Sequence, residues 1–255
     1  MSRLALLLSL VSSAAWAQRA FPFTWDSATL EPGTREVQAW VTPRLGRVDT
    51  GYTQLDVRFQ QAQGLSAQVE MMFGLDLDLI SFAIDSRDLE AHVSSTWRYS
   101  LLRSSEVVGL AVLGRFALGL DDGELEVRLV LDKQFGRLLL ALNASASRTV
   151  RWGSGEGIDT RLEQSFGARY QVQAEFSAGL EVRSREAWQR SVHQGTAWSA
   201  GPTFTYASKR WWVALGLMAQ AGANKARADR GNGEPLELRD NERFTGRVVL
   251  GLKTD

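Results

Sequence analysis

Residues 65–79 read Leu65-Ser66-Ala67-Gln68-Val69-Glu70-Met71-Met72-Phe73-Gly74-Leu75-Asp76-Leu77-Asp78-Leu79. Every odd position is apolar, and the even positions carry Ser, Gln, Glu, Met, Gly and Asp. A period of two puts the two sets on opposite faces of a β-strand. The run is far longer than the five or six residues common in soluble sheets and exceeds the ~10 that a tilted strand needs to cross a hydrocarbon layer.

The pattern repeats along the chain. Leu125, Val127, Leu129 and Leu131 oppose Glu124, Glu126, Arg128, Val130 and Asp132, and Phe176, Ala178, Leu180 and Val182 oppose Glu175, Ser177, Gly179, Glu181 and Arg183. Trp211, Val213, Leu215 and Leu217 oppose Trp212, Ala214, Gly216 and Met218, and no helical stripe competes over a comparable length. Between these segments, tight turns near 62–64, 103–106, 135–137, 172–173 and 208–209 alternate with longer polar stretches near 46–51, 81–88, 152–159, 188–194 and 224–241. Asp121-Asp122-Gly123 is a short turn where a long loop is due. Short turns on one rim and long loops on the other are the layout of outer-membrane barrels. In lipid a sheet must close so that no backbone group is left unpaired. The expectation is an all-β fold, a transmembrane antiparallel up-and-down β-barrel of about twelve strands, with about 10 to 14 allowed by the pattern.

Met1-Ser2-Arg3, an apolar run from Leu4 to Val11 and Ala15-Trp16-Ala17 describe a signal peptide cleaved after Ala17. The run is too short for a spanning helix. The chain therefore divides into a signal peptide (1–17), an N-terminal lead-in (18–34) and the barrel (35–255), bound for the cell outer membrane. Composition narrows the possible chemistry. The 29 basic residues match the 29 acidic ones with no basic cluster, so no nucleic-acid partner is expected. There is no cysteine, hence no disulfide and no thiolate chemistry, and two histidines do not suggest a metal site or other cofactor.

On the barrel reading, the polar face of each strand lines the lumen. Charged candidates there are Glu70, Asp76, Asp78, Glu90, Arg98, Arg115, Arg128, Arg169, Glu181, Arg183 and Arg247, with Asp56, Arg58, Glu126, Arg161, Glu163 and Glu175 beside them. They could form a ladder of paired charges filling a narrow lumen, or line a water-filled pore that selects solutes by charge. Trp97, Tyr99, Tyr170, Trp198, Tyr206 and Trp211 fall near strand ends, where amphipathic rings anchor at the headgroup level.

Candidate chemistry is sparse. His92 and Ser94 share one strand face and could supply the base and nucleophile of a lipid hydrolase, but the alternation turns them inward and no third member is evident. Gly153, Gly155 and Gly157 lack the following helix that a phosphate cradle needs. Asp76, Asp78, Asp85 and Asp88 could line a calcium site, though their spacing fits no calcium loop. Asn143-Ala144-Ser145 is a glycosylation sequon by letters only.

Phe21 to Trp25, Leu30-Glu31-Pro32-Gly33, Glu36, Trp40-Val41-Thr42 and Arg44 resemble the opening of a family of uncharacterised bacterial outer-membrane β-barrel proteins. The resemblance implies fold and location, with no activity attached. The expected role is that of a non-enzymatic outer-membrane barrel, structural or weakly pore-forming. It would be monomeric, with membrane lipid and the barrel-assembly machinery as its partners. Alternatives are a narrow pore or transporter for small solutes, a soluble periplasmic β-sandwich binding module and, more remotely, an outer-membrane lipid hydrolase.

Overall fold

The computed structural model describes residues 19–47, 53–82, 86–102, 107–152, 157–189, 192–225, 236–238 and 241–254. Twelve strands run in order: β1 Arg35–Leu45, β2 Thr53–Gly64, β3 Val69–Phe82, β4 Ser86–Leu102, β5 Gly109–Leu118 and β6 Asp122–Phe135, followed by β7 Leu138–Arg151, β8 Gly157–Gln171, β9 Phe176–Gln189, β10 Val192–Ala207, β11 Trp211–Lys225 and β12 Phe244–Thr254. Each pairs antiparallel with its sequence neighbour, and β1 closes the cylinder on β12 from Arg35↔Thr254 to Leu45↔Phe244. The sheet is a closed barrel and not a sandwich. The proposed signal peptide lies outside the described residues.

Side chains follow the alternation. Phe59, Phe73, Leu89, Val93, Phe116, Leu125, Val127, Leu142, Phe166, Leu180 and Leu217 stand exposed on the outer wall, while Glu36, Gln38, Gln60, Glu70, Asp76, Asn143, Glu181 and Arg183 are buried inside. This is the inverse of a water-soluble protein, in which apolar patches of more than a few hundred Å² are rare. It is the arrangement that lipid outside and a polar lumen inside require. Tyr170, Tyr206, Trp211, Trp97 and Tyr99 lie toward the short-turn rim and Trp198 further up the wall, all partly exposed outward. Tyr206 and Trp211 pack ring on ring at 5.2 Å.

Some sequence boundaries shift. Leu65 to Ala67 belong to the β2–β3 turn, closed by Leu65 N–H donating to the Val69 carbonyl at 2.9 Å. Glu175 sits exposed in the β8–β9 turn and does not face the lumen. Two expected long loops are mostly strand, since β3 and β4 extend to Phe82 and from Ser86, and β9 and β10 to Gln189 and from Val192. Polar residues there mark strands that run on beyond the apolar belt, where both faces can be wet.

The lead-in does not stay at the rim. From Thr34 the chain turns at Gly33, whose φ of +83° suits glycine, and residues 19–30 pass into the lumen at the short-turn end. Phe21 is fully buried, packing on Leu139 and Ala141, and Leu30 packs on Ala62 and Met72.

Candidate functional site: a stoppered, charged lumen

An irregular segment inside a barrel brings its own backbone donors and acceptors, which need partners. The inward side chains of the wall supply them. Glu181 on β9 accepts the N–H of Phe23 at 3.2 Å and that of Thr24. Asn143 on β7 accepts the Trp25 N–H at 2.7 Å and donates to its carbonyl at 2.9 Å. Asp132 on β6 takes the Ser27 N–H at 3.1 Å and its hydroxyl at 2.8 Å, and Glu70 on β3 takes the Leu30 N–H at 2.8 Å. In the opposite sense Arg247 donates to the Pro22 carbonyl at 3.2 Å and Arg98 donates to that of Ala28. Side chains from six strands therefore hold the segment as a sheet neighbour would.

Shape completes the fit. Gly167 and Gly216 leave notches in the inner wall: a Cβ at Gly167 would lie 2.8 Å from the Phe21 ring, and one at Gly216 2.6 Å from Pro22 and 2.7 Å from Phe23. The Arg19 guanidinium sits between two indoles, 3.5 Å from the Trp25 centroid and 4.0 Å from that of Trp40. Burial, with Arg98, Arg247 and Arg128 nearby, pushes its pKa down. Trp40 and Trp212 are themselves braced through Gln38 and Glu36, with Trp212 Nε1 donating to Glu36 at 2.9 Å and Trp40 Nε1 to Gln38 at 3.1 Å.

Beyond this stopper, toward the long-loop rim, the lumen holds a cavity of about 380 Å³ floored by Phe23, Trp25 and Trp40. Its charges are segregated. The β2–β6 side presents Asp56, Asp76, Asp78, Glu90, Asp122, Glu124 and Glu126 with Arg58, Arg115 and Arg128. The side formed by β7–β9, β12, β1 and the following loop presents Arg44, Arg47, Arg151, Arg161, Arg183, Arg185 and Arg247 against Glu163. Many of these are paired, as buried charges require. Asp76 binds Arg58 and Arg115, and Arg128 binds Glu126 at 2.8 Å and Glu163 at 3.5 Å. Glu242, in the β11–β12 connection, is 3.0 Å from Arg47, 3.3 Å from Arg185 and 3.5 Å from Arg44. Burial alone would raise the Glu242 carboxyl, but Arg44, Arg185 and Arg47 overcome it and hold the group well below the usual carboxylate range.

The residues named from sequence thus divide between two places. Glu70, Glu181 and Arg98 grip the stopper; Asp76, Asp78, Arg115, Arg128 and Arg183 line the cavity, and Arg247 does both. Glu90 borders the cavity while exposed, and Arg169 is half-buried toward the short-turn end. Asn143, Asp132, Glu36, Trp40, Arg185 and Glu242 were not singled out as site residues. His92 and Ser94 do not form a dyad: His92 Nε2 engages Asp122 Oδ1 at 2.6 Å, a partner not evident in the sequence. Asp76 is held by arginines, and no group of potential metal ligands occurs among the described residues. Asp85 and the loop glycines 153 and 155 lie outside them.

Residues 120–253, just over half of the chain, match the model of a family of unknown function (DUF6662). No curated protein matches the sequence. Solved structures with the same fold include the COG4313 outer membrane channel from Pseudomonas putida F1 (TM-score 0.65, 11% identity, covering 90% of this chain and 98% of that one). The NanC porin aligns with a TM-score of 0.57 at 8% identity over 86% of this chain and 100% of its own. A KdgM porin in complex with disordered oligogalacturonate aligns at 0.54 and 10% identity, over 86% of this chain and 99% of its own. At such identities the likeness is one of fold, that of outer-membrane β-barrels.

Proposed function

The chain belongs to the DUF6662 family, of unknown function, and from that footing we propose that it is a narrow outer-membrane pore for small polar solutes, closed at its periplasmic end by its own N-terminal segment. The observation that carries this reading is the cavity of about 380 Å³, ringed by strands and floored largely by Phe23 and Trp25 of a hydrogen-bonded but non-sheet segment. A wall of strands is permanent; a floor held by side chains can leave. The segregated charges would orient a dipolar or charged solute across the lumen, as charged rings do in selective pores.

On this reading the signal peptide is removed after Ala17, the assembly machinery inserts the barrel with its short turns facing the periplasm, and the monomer works in lipid without a cofactor or a catalytic step. The oligogalacturonate bound to the KdgM porin is compatible with a lumen of this kind taking charged solutes. Planar-bilayer recordings test the proposal. The intact chain should show low conductance with brief openings, and the Asn143→Leu variant should stay open. A closed trace from both, with a heat-modifiable barrel in the membrane, would leave a purely structural protein.

A further inference from the structure

Most cavity arginines are matched to a carboxylate, but three are not. Among the described residues Arg161, Arg183 and Arg247 have no ion pair. Arg183 is the telling one. It is 3% exposed, lines the cavity, and leaves its Nε without a hydrogen-bond partner. Glu163, two residues along the adjoining strand from its register partner Ser165, is the carboxylate whose charge Arg183 feels, but its close ion pairs are with Arg128 at 3.5 Å and Arg185 at 3.1 Å. A buried guanidinium N–H left without a hydrogen-bond partner costs stability on the order of kilocalories and needs a reason to persist.

The geometry around it points to a ligand. Arg183 on β9 and Arg247 on β12 both lie against the Phe23 ring, at 5.1 and 4.6 Å from its centroid, so one aromatic side chain of the floor gathers two cations from opposite ends of a four-strand stretch of wall. Arg247 spends Nε on Thr42 Oγ1 at 3.0 Å and one terminal nitrogen on the Pro22 carbonyl, which leaves its other terminal nitrogen unassigned. A guanidinium fork is matched to carboxylate or phosphate oxygens. We propose that Arg183 and Arg247, at the cavity floor with Arg161 above them, form a binding site for a small organic anion carrying at least two carboxylate or phosphate charges. This rests on the solute-pore reading and names its solute class. Because Arg247 also holds the Pro22 carbonyl, an anion at this site competes directly with one anchor of the stopper.

Equilibrium binding tests it without requiring the pore to open. The folded full-length protein in detergent is titrated with citrate, with inorganic phosphate, and with sodium chloride at matched ionic strength. Tryptophan fluorescence reports binding, since the Trp40 ring lies 5.5 Å from Arg247. Citrate should saturate the signal, and Arg183→Gln and Arg161→Gln should each weaken it roughly tenfold or more, the loss expected for a charge-assisted contact. Arg148→Gln, on the outer face, should not. Folding of every variant is checked by the mobility shift of the unboiled band. Saturation by phosphate but not citrate would keep the site and assign it to phosphate esters. Equal responses to citrate and chloride, or a citrate affinity unmoved in a folded Arg183→Gln, would overturn the proposal. Citrate binding without conductance would refute the pore and leave the anion site standing.

Discussion

Asn143 and Trp25 form a reciprocal pair: the Asn143 carboxamide accepts the Trp25 N–H at 2.7 Å and returns its own N–H to the Trp25 carbonyl at 2.9 Å. One side chain thereby imitates the two-bond exchange of facing residues in a sheet. Asn143→Leu strands a buried donor and a buried acceptor, at about 1–3 kcal/mol each. The barrel should survive, with an unchanged unboiled gel shift, while residues 19–30 become accessible to protease and conductance rises.

Glu181 serves two adjacent N–H groups, those of Phe23 and Thr24. A glutamine keeps an acceptor at the same place, whereas a leucine keeps none. Glu181→Gln should therefore hold the stopper nearly as well as the parent, and Glu181→Leu should release it. The two variants are compared by protease accessibility of the segment.

The notch at Gly216 makes a purely steric prediction. A single methyl would meet Pro22 at 2.6 Å and Phe23 at 2.7 Å, with nowhere on that side for the rings to go. Gly216→Ala should shift the segment and brighten or quench the fluorescence of Trp25 and Trp40, without lowering the yield of folded barrel.

Leu217, next to Gly216, points the other way and stands 55% exposed on the outer wall. If that wall meets lipid, Leu217→Arg should cost about 2–4 kcal/mol of insertion. The cost would appear as a lower fraction of heat-modifiable band after refolding into bilayers. A protein that folds in water would not register the change.

Glu242 ties the β11–β12 connection to Arg44, Arg47 and Arg185. Its carboxyl is held below the ordinary range, so it stabilises the folded form at every pH above the unfolded value and loses that contribution only as pH falls through its depressed folded value. The connection should thus resist acid down through the normal titration range of carboxylates. Glu242→Gln should loosen it at all pH values, as read by proteolysis within 226–243 between about pH 4 and pH 8.

The wall was legible because alternation is a local property: Leu75, Asp76, Leu77 and Asp78 declare their faces without knowing their neighbours. The stopper was not, because its partners are far away in sequence and each looks ordinary alone. Asn143 reads as a sequon, Glu181 as one more inward acid, and Gly167 and Gly216 as small residues in strands. A signal did exist in the lead-in: Phe21, Phe23 and Trp25 alternate with Pro22, Thr24 and Asp26, an aromatic run with no strand length and therefore in need of some other burial. Partners such as Asp122 for His92 depend on register across strands, which the periodicity of one strand does not reveal.

Residues 19–30 lie inside a cylinder whose final seam joins β1 to β12. Pro22 touches Arg247, 225 positions later, so the earliest part of the described chain is fastened by the latest strand. The barrel is in effect a hoop tightened around a mandrel: until β12 docks, the segment is merely overlaid by a curling sheet, and once it docks, the segment is encircled. A segment seated before that docking would make closure and capture one event. Contacts of such sequence separation make that step slow, and a chain arrested before it would present the same aromatic residues, Phe21, Phe23 and Trp25, to whatever chaperone holds it.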